Sequence, residues 1–305
     1  MLNKPLVSIL MNCLNGEKYL EEAIESVLRQ SYKHWEVIFW DNNSIDNSRA
    51  IIMQYKDERI RYFHSLNKTN LGKARQDAFN KIKGEFLCVL DVDDTWRKNK
   101  LSEQLHFFEN ERVGICYSNS EFFSYKNKEN LYPKDIVMKD SCSKLITNYH
   151  ISLETVMLRV KYIRELEKSF DENYSHISDF DLITRLSTRC GIAYCPKVLA
   201  CWRIHEGSEG YTKPQLFNAE KLLWIKNNKE SKYFSKVDRA IYELEKLVHA
   251  SKRMYIKKQY NNFFKDITFS YSNARNLFYV LFSYIPILTI LAMKIKNTMY
   301  KAKWF

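Results

Sequence analysis

Asp91, Asp93 and Asp94 crowd together directly after the apolar run Phe86–Leu90 in the segment "FLCVLDVDDTW". Like charges this close raise one another's pKa unless a positive group stands between them. Either a Lys or Arg folded in from elsewhere or a divalent cation meets that need. Carboxylate oxygens are hard ligands, and an ion such as Mg²⁺ or Mn²⁺ held by them neutralises a departing phosphate group. Other groups of the same kind recur along the chain. Asn12 and Asn15 follow one apolar run, and Asp41 and Asn42 end another. "HISDFDLITRL" carries Asp179 and Asp181, and "WRIHEGS" carries His205.

The elements that must position these groups are legible from periodicity. "PLVSILMNC", "WEVIFW", "IRYFHS" and "EFLCVLDVDD" read as strands, most of them apolar throughout. Between them, Leu20, Ala23, Ile24, Val27 and Leu28 recur at helical spacing, and "NLGKARQDAFNKI" reads as a helix entered through Gly72. Alternating strands and helices predict an α/β domain with a mostly parallel sheet flanked by helices. Ligands of such sheets sit at the carboxyl ends of the strands, which is where the Asn12, Asp41 and Asp91 clusters fall. No G-x-G-x-x-G or G-K-[ST] loop is present, so the site is not of the usual dinucleotide or P-loop type. Further on, "KLSEQLHFFEN" reads as a helix, "GICYSNSEFF" as a strand and residues 126–143 as a polar excursion. "SDFDLITRL" reads as a helix and residues 192–208 as short closing strands.

Composition narrows the class. The 305 residues are 45% hydrophobic and 14% aromatic, enough for a substantial core, with only 7 Gly and 5 Pro. A net charge of +12 points to an anionic partner such as a nucleotide or a phospholipid surface. No basic block is interleaved with a nucleic-acid-binding pattern, so no nucleic acid is expected. The 7 cysteines include no C-x-x-C pair, which argues against structural zinc. Their irregular spacing fits reduced thiols in the cytoplasm. The first apolar run is too short for a secretory signal and reads as a strand.

Four blocks taken in order resemble the family 2 glycosyltransferases, which have the GT-A nucleotide-diphospho-sugar transferase fold. They are the opening strand–helix–strand through "WDNNSIDNS", then "LDVDDTW", then "SDFDLITRL", then "VLACWRIHEGS". The resemblance spans roughly residues 5–210. It implies that Asp93 ligates Mg²⁺ or Mn²⁺, that Asp91 holds the ribose or a metal-bound water, and that His205 reaches the same ion. Against this, His205 also reads as a structural loop residue, and Asp94 as a helix cap. The resemblance further implies that Asp179 is the catalytic base, with Ser178 where the family most often has Glu. Asp181 then orients the acceptor or is simply a first-turn acid. Asn12, Asn15, Asp41, Asn42, Arg75 and Asp91 are the expected nucleotide-sugar-binding residues. Arg75 and Lys73 fall either near the phosphates or on the solvated face of their helix. Leu14 replaces an aromatic residue, and Asn42 the second acid of an Asp-Asp pair.

The expected organisation is a catalytic domain over residues 1–212 and a helical C-terminal extension over 213–305. Residues 277–293 bear no charge and are followed by Lys294, Lys296, Lys301, Lys303 and Trp304. This segment reads either as a membrane-interface helix with basic anchors or as a core helix. The resulting expectation is an inverting, metal-dependent glycosyltransferase. It would move a sugar from a nucleotide-sugar donor to a hydroxyl of a surface polysaccharide, lipo-oligosaccharide or lipid-linked glycan. Peripheral membrane contact through 277–305 would place it at the cytoplasmic face of the inner membrane. Two rivals are a nucleotidyltransferase of similar fold and a non-enzymatic, basic nucleic-acid-binding protein. The "SDFD" and "WRIHEGS" blocks have no job in the first. The strand-end acids would repel phosphate in the second.

Overall fold

A computed structural model describes residues 4–124, 128–131, 140–208, 213–231 and 233–256. The expected membrane segment 277–293 lies outside the described residues. The strands are β1 (Val7–Cys13), β2 (Trp35–Asp41), β3 (Ile60–His64), β4 (Phe86–Val89), β5 (Thr95–Trp96), β6 (Val113–Phe123), β7 (Lys128–Asn130), β8 (Met157–Arg159) and β9 (Gly191–Arg203). The helices are α1 (Leu20–Leu28), α2 (Ser48–Ile52), α3 (Leu71–Phe79), α4 (Lys100–Leu105), α5 (Cys142–Thr147), α6 (Val160–Arg164), α7 (Ser178–Leu186), α8 (Pro214–Asn228) and α9 (Asp238–Ile256).

All the described strands join one sheet in the order β3-β2-β1-β4-β8-β6-β9-β5, with β7 paired to β6 beside this path. The half that carries the Asn12, Asp41 and Asp91 clusters is parallel, as expected: β1 pairs with β2 and β4, and β2 with β3. The other half is mixed. Strand β8 runs antiparallel to both β4 and β6, whereas β9 runs parallel to β6.

Side chains of β1 alternate between two cores, as a strand covered on both faces requires. Val7, Ile9, Met11 and Cys13 pack with Leu20, Ala23, Ile24 and Val27 of α1. Leu10 packs on the opposite face with Ala74 and Ala78 of α3 and with Leu182, Ile183 and Leu186 of α7. A third core joins the C-terminal helices to this body. Trp224 and Ile225 of α8 and Ile241, Leu244 and Val248 of α9 pack with Ile177, Phe180 and Ile146. Among the described residues no helix is long and apolar enough to cross a membrane.

Helix α3 comes unusually close to the chain that precedes α7. A Cβ on Gly72 would stand 2.2 Å from the Tyr174 carbonyl oxygen and 2.5 Å from that of Asp171. Glycine is required there by that approach, not by its backbone angles. Helix α3 starts where the Asn70 side chain accepts the Lys73 amide, an N-cap bond.

Candidate active site

Each of the three crowded carboxylates receives a donor from elsewhere in the chain: Asp91 from α3, and Asp93 and Asp94 from the end of β9 and just beyond it. Arg75 of α3 is buried and donates from Nη2 to both oxygens of Asp91 (3.1 and 3.3 Å). Its Nη1 donates to Ser178 Oγ at 2.7 Å, at the start of α7. For Asp91, the positive group folded in from elsewhere is therefore this arginine. The surrounding protein raises the Asp91 carboxyl above its usual range, Arg75 opposes that rise, and the Asp93 charge adds to it.

Asp93 and Asp94 are met by β9. The short antiparallel pairing of β5 with β9 sets Thr95 opposite Cys201, so the residues just before β5 face those just after it on β9. His205 Nε2 lies 3.0 Å from Asp93 Oδ2. Its Nδ1 accepts the Gly207 amide at 3.1 Å, which puts the proton of a neutral ring on Nε2, facing Asp93. Arg203 donates its backbone N–H to Asp94 Oδ1 (2.8 Å) and its Nε to the Asp93 carbonyl (2.9 Å). Asp94 is thus bound to β9 and does not cap the following helix. Burial drives its carboxyl well above the ordinary range, with the charges of Asp93 and Glu154 adding to the effect. Glu154 is itself buried and accepts Ser120 Oγ at 2.9 Å.

Asp179 sits half-buried in the first turn of α7, next to the serine that Arg75 holds. Burial raises its carboxyl; the Arg75 charge, the Phe180 amide and the Tyr149 hydroxyl pull it back. Asp181 points elsewhere. It is buried, ion-paired with Arg185 and accepts the Trp224 indole N–H at 2.9 Å. Its role is to fasten α7 to α8, so it is not available to an acceptor.

The expected nucleotide residues divide into two sets. Asn15, Asp41 and Asn42 hold the loops at the strand ends. Asn15, in the left-handed region at φ 57°, accepts the Ile45 amide at 2.9 Å. Asp41 accepts the Ser44 amide (2.8 Å) and the Tyr62 hydroxyl (2.9 Å). Asn42 clips both the amide and the hydroxyl of Thr69 (3.1 and 3.0 Å). Asn12 differs. Both its amide atoms are buried without a partner, as is the indole nitrogen of Trp40, its neighbour in the β1–β2 register. Arg75 Nε is unpartnered as well. Buried polar groups are nearly always satisfied, so this patch calls for a polar partner from outside the chain, water or ligand. Lys73, by contrast, is engaged with Asp77 on its own helix at 2.5 Å.

Sequence reasoning missed Arg203, Tyr19 and Glu154. Arg203 lies in the quoted "WRIHEGS" block, and its invisible part was the fold-back onto Asp93 and Asp94. The Arg203 guanidinium also stacks over Tyr19 at 4.4 Å, and the Tyr19 ring lies 5.3 Å from that of His205. Tyr19 therefore supports both residues that meet Asp93.

The donor set fits a divalent ion. Asp93 Oδ2 and His205 Nε2 would be its protein ligands; the 3.0 Å between them is a hydrogen bond, so the proton on Nε2 must leave before that nitrogen could ligate an ion. Among the described residues no third metal-ligating side chain joins them. An ion held here would take its other ligands from water and phosphate oxygens, and the imidazole in the set would suit Mn²⁺ better than Mg²⁺.

Comparison with known proteins identifies the family and the fold. Residues 8–170 match the glycosyl transferase family 2 profile. The putative teichuronic acid biosynthesis glycosyltransferase TuaG of Bacillus subtilis is 41% identical over 106 residues, which are 34% of this chain and 42% of TuaG. The chain thus spans less than half the length of that relative. The UDP-Glc:alpha-D-GlcNAc-diphosphoundecaprenol beta-1,3-glucosyltransferase WfgD of Escherichia coli is 32% identical over 178 residues, 58% of this chain and 68% of WfgD. The crystal structure of S. aureus TarS 1-349 with UDP-GlcNAc superposes with a TM-score of 0.64 at 20% identity, covering 80% of this chain and 72% of TarS 1-349. The fold is that of the GT-A glycosyltransferases, and the chain belongs to glycosyl transferase family 2.

Proposed function

We propose that the protein is an inverting, metal-dependent glycosyltransferase that moves one sugar from a nucleoside-diphosphate donor to a hydroxyl of a lipid-linked or cell-surface glycan. The observation that carries this reading is the span of Arg75. One guanidinium reaches from Asp91 of the acidic motif to Ser178, the residue beside Asp179. Donor-side and acceptor-side groups are thereby held in one rigid arrangement.

Asp93 and His205 would hold Mg²⁺ or Mn²⁺, which when bound neutralises the diphosphate leaving group. Asp91, fixed by Arg75, orients the ribose side of the donor. The unsatisfied Asn12 and Trp40 groups mark the nucleotide end of the same strand edge. Asp179 accepts the proton of the acceptor hydroxyl as that oxygen attacks the anomeric carbon from the face opposite the leaving group. A base of raised pKa, closer to neutrality, suits that task. The relative from E. coli is named for a diphospho-lipid-linked acceptor, and a lipid-linked acceptor fits the net charge of +12 and the anchors in residues 294–304. The site of action is then the cytoplasmic face of the membrane.

The experiment is a thermal-shift screen of UDP, GDP, CMP and dTDP and their sugars, each with Mn²⁺, Mg²⁺ or EDTA. One nucleotide series is expected to raise Tm only with metal, because a ligand bound to the folded state stabilises it by mass action. The metal-dependent part is expected to vanish in Asp93→Ala. No shift with any donor in the presence of metal rejects the donor site.

A further inference from the structure

One cation near Asp179 has no part in the reaction just described. Lys221 lies on α8, and its backbone is fixed against the start of α7. The neighbouring Glu220 carboxylate accepts the amides of Ser175 (2.9 Å), His176 (2.7 Å) and Ile177 (3.1 Å), the three residues leading into α7. Three residues along α8, Trp224 packs on Phe180 with ring centroids 5.0 Å apart. The Lys221 ammonium stands over the Phe180 ring, 5.9 Å from its centroid. It is half-buried, and the Asp179 charge acts on it without closing an ion pair. Among the described residues it has no hydrogen-bond acceptor. A half-buried ammonium with three donors, no hydrogen-bond acceptor among the described residues and a carboxylate that acts on it only from a distance is an incomplete site, and an anion completes it.

Which anion follows from placement. The donor diphosphate belongs at Asp93 and His205, and α8 contributes nothing to that pair. Lys221 stands with Asp179, the group that receives the acceptor hydroxyl. The family profile ends at residue 170, before both α7 and α8.

We propose that Lys221 binds the acceptor, holding an anionic oxygen of its diphosphate while Asp179 meets a hydroxyl of the attached sugar. The proposal rests on the transferase reading above and assigns the acceptor class: a sugar diphosphate, not a neutral glycan end.

The test is direct binding to the full chain in detergent, with two probes: a short-chain GlcNAc-α-diphosphoprenol and the matched neutral GlcNAc-α-alkyl glycoside. Wild type is expected to prefer the diphosphate by about tenfold or more, the worth of one charge-assisted hydrogen bond. Lys221→Gln is expected to lose that preference and Lys221→Arg to keep most of it. The metal-dependent thermal shift with UDP or GDP should be the same in all three proteins, which also shows that the variants are folded. A wild type without the preference, or a Lys221→Gln protein that retains it, overturns the proposal. An equal loss of UDP or GDP binding in Lys221→Gln puts the lysine on the donor and overturns it too. Should no donor bind or transfer, the transferase reading fails by itself, while the diphosphate preference is still read from binding.

Discussion

Asp179 and Asp181 stand two residues apart in one helical turn and meet different fates. Asp181 is consumed by Arg185 and Trp224. Asp179 keeps its carboxylate beside the arginine that also holds Asp91. Asp179→Asn is expected to lower transfer by about 10²–10⁴-fold, the usual worth of a general base, while the nucleotide-induced thermal shift stays unchanged. A variant with near-normal turnover removes Asp179 from the role. The base must be ionised, so the rate falls as pH drops through its pKa. Burial lifts that pKa above the ordinary 3.8, so the acid limb of the rate profile should lie above that value. In Arg75→Gln the opposing charge is gone, and the limb should move to higher pH still. Residue types and spacing singled these carboxylates out as candidates. They did not show which donor each one meets, because Arg75, Arg203 and His205 reach their partners only through tertiary contacts.

At the scale of elements, the packing of α3 against the 171–174 loop sets the distance between Arg75 and Ser178. Gly72→Ala would drive a methyl group into two carbonyl oxygens, and backbone yields less readily than a side chain. We expect a loss of about 1–3 kcal/mol in denaturant unfolding, the usual cost of overpacking, and a fall in kcat as Arg75 draws away from Ser178. Unchanged stability would show that α3 can shift freely. The strands that pair in parallel were legible because both their faces are buried and they read as unbroken apolar runs. Strand β9 was not: Pro196 breaks its pattern, and the segment reads as several short strands. The structure carries it through as one strand, absorbing Pro196 and Lys197 where the register jumps from Cys195–Ser118 to Val198–Asn119. A bulge is where a sheet tolerates proline. The helix expected over residues 100–110 stops as α4 at Leu105 and continues as a tighter turn over His106–Glu109.

At the scale of the whole molecule, the net charge of +12 and the proposed lipid-linked acceptor together predict contact with a membrane surface. Removing residues 276–305 is expected to abolish sedimentation with anionic phospholipid vesicles and to leave the nucleotide thermal shift intact. Sedimentation that survives the deletion places the contact elsewhere. The fold-back of β9 on β5 also has a consequence for the order of synthesis. Asp91 emerges from the ribosome after its partner Arg75, and is compensated as soon as α3 and β4 meet. Asp93 must wait for His205, 112 residues later, or roughly 6–20 s at about 5–20 residues per second. During that interval two acids lie beside a third, Glu154, without their β9 donors. A nascent chain ending near residue 190 should therefore hold a nearly complete nucleotide edge without His205, so on the proposed reading the ion site is completed only after the nucleotide edge.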